Sequence, residues 1–208
     1  MDTQTSNFRD ERRARILQVA RDVFYEFGYA GASMATISAR LGGSKATLYA
    51  YFSSKEELFG AMIRERCEAM GRVFQAHIGA DDLRKALKEM SLQLINVVMS
   101  DWGTRTIQLL IEESRRNPSL ARLFNEAMEA NGRASLQALL ATARDRGQID
   151  APDVPEATKI LKSLLFGDIH FKRLLGICDG IDAADLNKHI DRAIDVFMTY
   201  YGAEDKDA

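Results

Sequence analysis

Residues 43–59 read GSKATLYAYFSSKEELF. Ser44 suits an N-cap, because its hydroxyl can accept from one of the backbone N–H groups left without partners where a helix starts. The helix it opens is short: Ser54, with Glu57 three residues on, forms a capping box that restarts the chain as a new helix after Phe52. Upstream, Ser33 caps a third helix. That helix carries Ile37 and Leu41 on one face and stops at Gly42-Gly43, where glycine tolerates the left-handed backbone of a helix end. Two short helices around a glycine turn form a helix-turn-helix.

The second of these helices has two sides. Leu48 and Phe52 lie four apart and turn inward, which leaves Lys45, Thr47, Tyr49 and Tyr51 on the outside. Those side chains suit DNA. Lysine offers charge and donors to guanine edges or phosphate, threonine offers a hydroxyl or a methyl contact to thymine, and tyrosine hydroxyls anchor phosphates. Lys55, opening the next helix, is expected to add a phosphate clamp. The other reading of the same spacing is a solvated polar face.

Charge follows the motif. The formal net charge is −2 over 208 residues, yet residues 1–55 hold eight Lys/Arg against five Asp/Glu, so the acidic excess lies downstream. Arg9, Arg12, Arg13 and Arg15 cluster near the start of the chain. They either lie along phosphates or, with Asp10 and Glu11 among them, form a solvated helix face. The apolar share of 46% and the charged share of 28% are ordinary for a soluble globular protein.

Several function classes are excluded by what the residues do not form. Cys67 and Cys178 lack metal-ligand spacing and read as reduced thiols of a cytoplasmic protein, with no metal or cofactor expected. No stretch reads as a secretory leader or a membrane span. Ser163, Asp168 and His170 lie on one predicted helix, with 168 and 170 on opposite sides, and no nucleophile elbow or phosphate loop is present, so an enzyme is not expected.

Beyond Phe59, apolar residues recur at spacings of three and four, interrupted by Gly, Pro, Asn and Asp clusters. The pattern predicts six further helices at about 55–77, 83–100, 103–116, 119–146, 154–175 and 183–201, nine in all. The first few and last few residues read as disordered.

From Ile16 to Phe59 the chain resembles the TetR-type transcriptional regulators. The likeness rests on a first helix ending in Phe27-Gly28-Tyr29, the Ser33 to Gly42 helix, Thr47-Leu48-Tyr49 with Tyr51-Phe52, and Ser54-Lys55-Glu56-Glu57-Leu58. It implies an all-α, nine-helix TetR-like fold with a DNA-binding head at residues 1–53 and a regulatory and dimerisation body at residues 54–208. The positions it implies for DNA contact are Ser33, Ser44, Lys45, Ala46, Thr47, Tyr49, Tyr51 and Lys55. Three residues depart from the family pattern: Gly43 where valine is usual, Ser38 where alanine is usual, and Ala46 where glycine is frequent. Gly43 removes an apolar anchor, so a looser reading head that orders fully on DNA is expected.

The segment Ile160 to Leu175 is apolar around more of its circumference than a one-sided surface helix requires. With the last helix it is expected to form a four-helix dimer interface through Leu161, Leu164, Leu165, Phe171, Ile190, Ile194 and Phe197. The alternative is burial within one protomer. A two-fold dimer sets two reading helices about one DNA turn, roughly 34 Å, apart on a near-palindromic operator.

Residues Arg105 to Phe124, RTIQLLIEESRRNPSLARLF, resemble the AefR-like C-terminal domain of the same family. The resemblance implies a small-molecule pocket among the middle helices, whose occupation shifts the helix after the reading head and releases a repressor. The expected lining is Met99, Trp102, Gln108, Glu112, Phe124, Met128, Phe166 and His170, suited to an apolar or amphipathic effector; Met and aromatic residues at this spacing equally form core. The expected partners are a double-stranded DNA operator, a second copy of the chain and that effector, with no membrane. The competing reading is a helical interaction protein without sequence-specific DNA binding.

Overall fold

The computed structural model describes the backbone of residues 2–203 and the side chains of residues 7–203. The expectation of disorder at the end of the chain falls on residues 204–208, outside that range; at the other end the helical backbone begins at Asp2. The described residues form α1 (Asp2–Gly31), α2 (Met34–Leu41), α3 (Lys45–Tyr49), α4 (Lys55–Gln75), α5 (Leu83–Met99), α6 (Asp101–Glu113), α7 (Pro118–Met128), α8 (Ala134–Asp145), α9 (Val154–Leu174) and α10 (Ala183–Tyr201). A π-helical turn, Glu129–Arg133, joins α7 to α8 without a break. The two therefore run on as one helical segment where one helix was expected at 119–146, and nine separate helical segments result among the described residues.

Sequence periodicity does not show the π turn. The Ser135 hydroxyl donates to the Asn131 carbonyl at 2.8 Å, supplying a partner within the widened turn. A side chain at Gly132 would meet Met70 Cε at 2.8 Å, so the turn lies close against α4.

The expected caps form. Ser33 Oγ accepts from Thr36 N at 3.0 Å and Ser44 Oγ from Thr47 N at 3.2 Å. Gly42 ends α2 in the left-handed region, φ 68° and ψ 23°, which a side chain would strain. Ser54 Oγ accepts from Glu57 N at 3.1 Å, but Glu57 does not return to Ser54. Its carboxylate takes the Ser53 N–H at 2.7 Å and the Ser53 hydroxyl at 2.6 Å, and these bonds hold the Glu57 carboxyl pKa below its ordinary value.

The chain packs as two compact units, Met1–Arg66 with Arg105–Ala127, and Cys67–Thr104 with Met128–Ala208. The expected functional cut between residues 53 and 54 is thus not the cut made by packing. Leu58, Phe59, Met62 and Ile63 of α4 are buried, as are Leu109, Leu110 and Leu120, and all of these belong to the unit that holds α2 and α3. In that unit Phe24 stacks on Tyr29 with ring centres 5.6 Å apart, and Phe59 meets both rings edge-on at 5.3 and 5.4 Å. Burial raises the Tyr29 phenol pKa, and the neighbouring Glu56 carboxylate adds to the shift.

The second unit is built on α5, α8, α9 and α10. Its core gathers Leu87, Leu139, Leu140, Leu161, Leu165, Ile190, Ile194 and Phe197. Ion pairs Lys88–Asp191 at 2.7 Å and Arg84–Asp195 at 2.5 Å tie α5 to α10 along its edge. The expected uninterrupted helix at 154–175 instead breaks its geometry at Gly167, φ 38° and ψ −136°.

This core corrects five of the seven residues expected at a dimer interface. Leu161, Leu165, Ile190, Ile194 and Phe197 are buried within the single protomer and have no surface to offer a partner. Their apolar stripes are satisfied by α5, α8 and each other. Leu164 is half-buried and Phe171 is 61% exposed, so those two remain accessible.

Candidate nucleic-acid interface

α3 is five residues long, too short to hold itself helical in water, since helix nucleation is unfavourable. Its shape is imposed from outside. Leu48 and Phe52 are buried, and Ile37 of α2 is fully buried in the same unit, so the inward side of the helix-turn-helix is apolar as expected. Ser44 closes the front of α3. At its back the Ala50 N–H donates to Ala46 O at 3.0 Å and the Phe52 N–H to Leu48 O at 3.0 Å.

The outward side is then defined. Lys45, Ala46 and Tyr49 are exposed, Thr47 and Tyr51 are half-buried, and the caps Ser33 and Ser44 are exposed. Both caps repeat one pattern, with the serine hydroxyl also facing a threonine hydroxyl three residues on: Ser33 with Thr36 at 2.8 Å and Ser44 with Thr47 at 2.9 Å. The contact with Ser44 holds the Thr47 hydroxyl toward the cap.

Lys55 stands apart from the expected phosphate contacts. Its ammonium donates to Tyr29 O at 2.7 Å and Ala32 O at 3.0 Å, and lies 4.3 Å from the centre of the Tyr29 ring. It ties the chain leaving α1 to the start of α4. The break at Gly28, φ 68°, turns the backbone out of the helix there and presents these carbonyls.

α1 supplies residues whose placement the sequence left open. Arg9 Cζ lies 5.9 Å from the Tyr51 ring centre, and Arg13 Cζ lies 5.7 Å from the Phe52 ring centre and pairs with Glu65 at 3.7 Å. The Ser38 hydroxyl, buried on α2, donates to Gly43 O at 3.2 Å. That bond fastens the turn from inside in place of the apolar anchor whose absence suggested a loose head. The readable signal was a serine among Met34, Ile37 and Leu41 on the buried side of α2.

The eight expected effector residues are divided between the two units. In the first, Gln108 and Glu112 line a cleft of about 250 Å³ with Tyr25 and Arg105, and Phe124 is half-buried. In the second, Met99 lines a cleft of about 180 Å³ with Ile95, Ile181 and Leu186, while Trp102 is half-buried. Met128 and Phe166 pack against the core of that unit, and the Phe166 and His170 rings lie 5.6 Å apart. Burial lowers the His170 pKa, and its Nε2 is buried without a hydrogen-bond partner among the described residues. Among the described residues no cluster of His, Cys, Asp or Glu is placed to hold a metal ion, and no helix is long and apolar enough to cross a membrane.

A capped helix-turn-helix, rigid on its apolar side and presenting lysine, threonine and tyrosine on the other, defines a DNA-binding regulator. Residues 16–62 match the family described as bacterial regulatory proteins, tetR family, and residues 85–203 match the AefR-like transcriptional repressor, C-terminal domain. The HTH-type transcriptional regulator UidR of Escherichia coli K12 is 30% identical over 179 residues, spanning 84% of this chain and 83% of that protein. A TetR-family regulator from Mesorhizobium loti superposes with a TM-score of 0.81 at 27% identity, over 94% of this chain and 99% of that one. The flavonoid-responsive regulator FrrA superposes with a TM-score of 0.76 at 27% identity, over the same shares. The chain belongs to the TetR family of transcriptional regulators, with the nine-segment helical fold that the family resemblance implied. Its relatives and its fold are those of DNA-binding regulators, not of enzymes.

Lys55 separates a structural role from a phosphate contact. Lys55→Met leaves two backbone carbonyls without their donor and is expected to cost about 1–3 kcal/mol of stability, read as a lower thermal midpoint. The salt dependence of DNA binding stays unchanged. An unchanged midpoint with a salt slope reduced by about one per head would reverse the assignment.

Proposed function

We propose that the protein is a homodimeric repressor that binds a near-palindromic operator and is released from it by a small apolar or amphipathic effector, acting in the cytoplasm. The observation that carries the DNA-reading part is the outward side of α3, where Lys45, Ala46 and Tyr49 are exposed on a helix whose Leu48 is buried. Lys45 and Thr47 contact base edges, with Ala46 allowing close approach. Ser33, Ser44, Tyr49 and Tyr51 hold phosphates. Because the Thr47 hydroxyl faces Ser44, Thr47 reads through its methyl group, which fits a thymine methyl.

Fluorescence anisotropy with a duplex carrying the sequence upstream of the protein's own gene, against a scrambled duplex of equal length, tests this reading. Selective, salt-sensitive binding is expected; equal or absent binding supports the interaction protein instead. Thr47→Val keeps the selectivity, whereas Thr47→Ser lowers it by a factor on the order of ten, the worth of one good base contact. The reverse order would show that the hydroxyl reads the base.

The dimer surface lies on the outer sides of α9 and α10. Val196 and Tyr200 stand four apart on α10 and are 49% and 78% exposed, and Phe171 and Leu175 stand four apart near the end of α9, also exposed. Ile160 and Leu164, earlier on α9, are half-buried. Large exposed apolar groups on adjacent helices fit a self-complementary two-fold contact. Val196→Arg is expected to give monomers in sedimentation experiments with little change in the protomer's fold. Ile194→Ala instead destabilises the protomer by about 2–5 kcal/mol, the cost of a core cavity. A dimeric Val196→Arg variant would move the interface elsewhere.

Effector binding in the second unit is supported on two grounds: Met99, Met128 and Phe166 pack against its core, and Nε2 of His170, whose ring lies 5.6 Å from that of Phe166, is buried without a hydrogen-bond partner among the described residues. Moving a two-state population from 1:99 to 99:1 requires about 5.5 kcal/mol of preference for one state. An effector burying about 250 Å² of apolar surface gains roughly 6 kcal/mol, so nearly all of it must be specific to the released state and weak ligands release DNA only in part. FrrA responds to flavonoids, and flavonoids are apt first probes here. Quenching of Trp102, the one tryptophan, is expected to saturate with a bound flavonoid and to weaken about tenfold in His170→Phe. Equal affinity in the variant would remove His170 from the site.

A further inference from the structure

We propose that Arg12 contacts the DNA phosphate backbone and that Gly43 is the notch in the helix-turn-helix that seats it. This rests on the DNA-binding reading of the head. The first observation concerns space. A Cβ placed on Gly43 would lie 3.1 Å from Arg12 Nη2, closer than ordinary van der Waals contact, so a side chain there would push the end of Arg12 away from the turn. Backbone conformation does not explain the glycine. Gly42 has a φ of 68°, but Gly43 is not among the residues with positive φ, and any L-residue can adopt its backbone. What glycine supplies at this position is room for Arg12 to lie against the turn without shifting.

The second observation is that the turn is anchored from its other side. Ser38, almost fully buried, donates to Gly43 O at 3.2 Å and holds the turn inward. Residues 38 and 43 therefore act as a pair: the Ser38 hydroxyl holds the Gly43 carbonyl, and Gly43, lacking a side chain, leaves room for an arginine from α1.

The third observation is charge. Three other arginines of this unit have carboxylate partners, Arg13 with Glu65 at 3.7 Å, Arg21 with Asp22 at 3.4 Å and Arg40 with Glu26 at 2.6 Å, whereas Arg9 meets only the Tyr51 ring among the described residues. Arg12 has no ion pair or hydrogen bond among the described residues. Its uncompensated charge sits beside the turn that leads into Ser44 and Lys45, both exposed, with Arg9 further along α1 over the Tyr51 ring. A guanidinium at the flank of a reading helix, carried by a different helix, is suited to the bidentate capture of a phosphate rather than to a base edge.

The test uses the full-length protein and the two duplexes named above, over a range of KCl concentrations. Selective binding by the wild type establishes the DNA-binding reading independently of Arg12, and its absence is the failure of that reading. Arg12→Gln is expected to weaken binding to both duplexes by the same factor and to reduce the slope of log K against log salt by about one per head. Arg12→Lys retains the slope. Gly43→Val displaces the guanidinium and reproduces the Arg12→Gln loss, and the double variant loses no more than either alone, because the two residues act through one contact. If Gly43→Val lowers the thermal midpoint, Gly43→Ala, which carries the smallest side chain that still meets Arg12, is read in its place. An unaltered slope in Arg12→Gln, a loss confined to the upstream duplex, or additive losses in the double variant would overturn the proposal.

Discussion

A helix of five residues cannot remain helical by its own hydrogen bonds, and α3, the helix proposed to read DNA, is of that length. Everything near α3 serves to impose its shape. Leu48 and Phe52 sink into an apolar interior, Ser44 supplies the missing acceptor at the front, and Gly42 lets α2 end sharply enough for α3 to start three residues later. The outer side inherits this rigidity. Side chains carried on a preformed surface lose less conformational freedom on binding than those on a floppy segment, so packing on one side of α3 favours binding by the other.

The same constraint reaches back into α1 and forward into α4. Lys55 bonds to the carbonyls of Tyr29 and Ala32 and sits on the Tyr29 ring, and that ring stacks on Phe24 and meets Phe59. A cation that the sequence placed among the DNA contacts is thereby engaged in closing the head. α4 then runs on from this cluster through Arg66 into Cys67, where the second compact unit begins.

Much of the fold was readable from local signals. The caps at Ser33 and Ser44, the glycine stop at Gly42 and the inward pair Leu48 and Phe52 depend on hydrogen bonds and spacings within a few residues, and all appear where the pattern put them. Signals that depend on a partner far along the chain were misread. Leu161, Leu165, Ile190, Ile194 and Phe197 showed that α9 and α10 must be buried, but a hydrophobic stripe looks the same whether its cover is a second copy or the protomer's own α5 and α8. The residues of the candidate DNA surface lie close together in sequence and share one unit, whereas the residues expected to line an effector pocket come from distant segments and fall in two units.

The sequence by itself determined a capped helix-turn-helix on an all-helical chain, and with it the kind of partner the protein has, because caps, turns and short-range periodicity are set by neighbours in sequence. Tertiary structure alone decided that Lys55 holds backbone carbonyls, that Glu57 bonds to Ser53 and not Ser54, and that the stripes of α9 and α10 face inward. It also decided that Ser38, Gly43 and Arg12 meet at one turn. These outcomes depend on which distant side chain arrives first at a given donor, acceptor or vacant volume, and that competition is settled only when the helices pack.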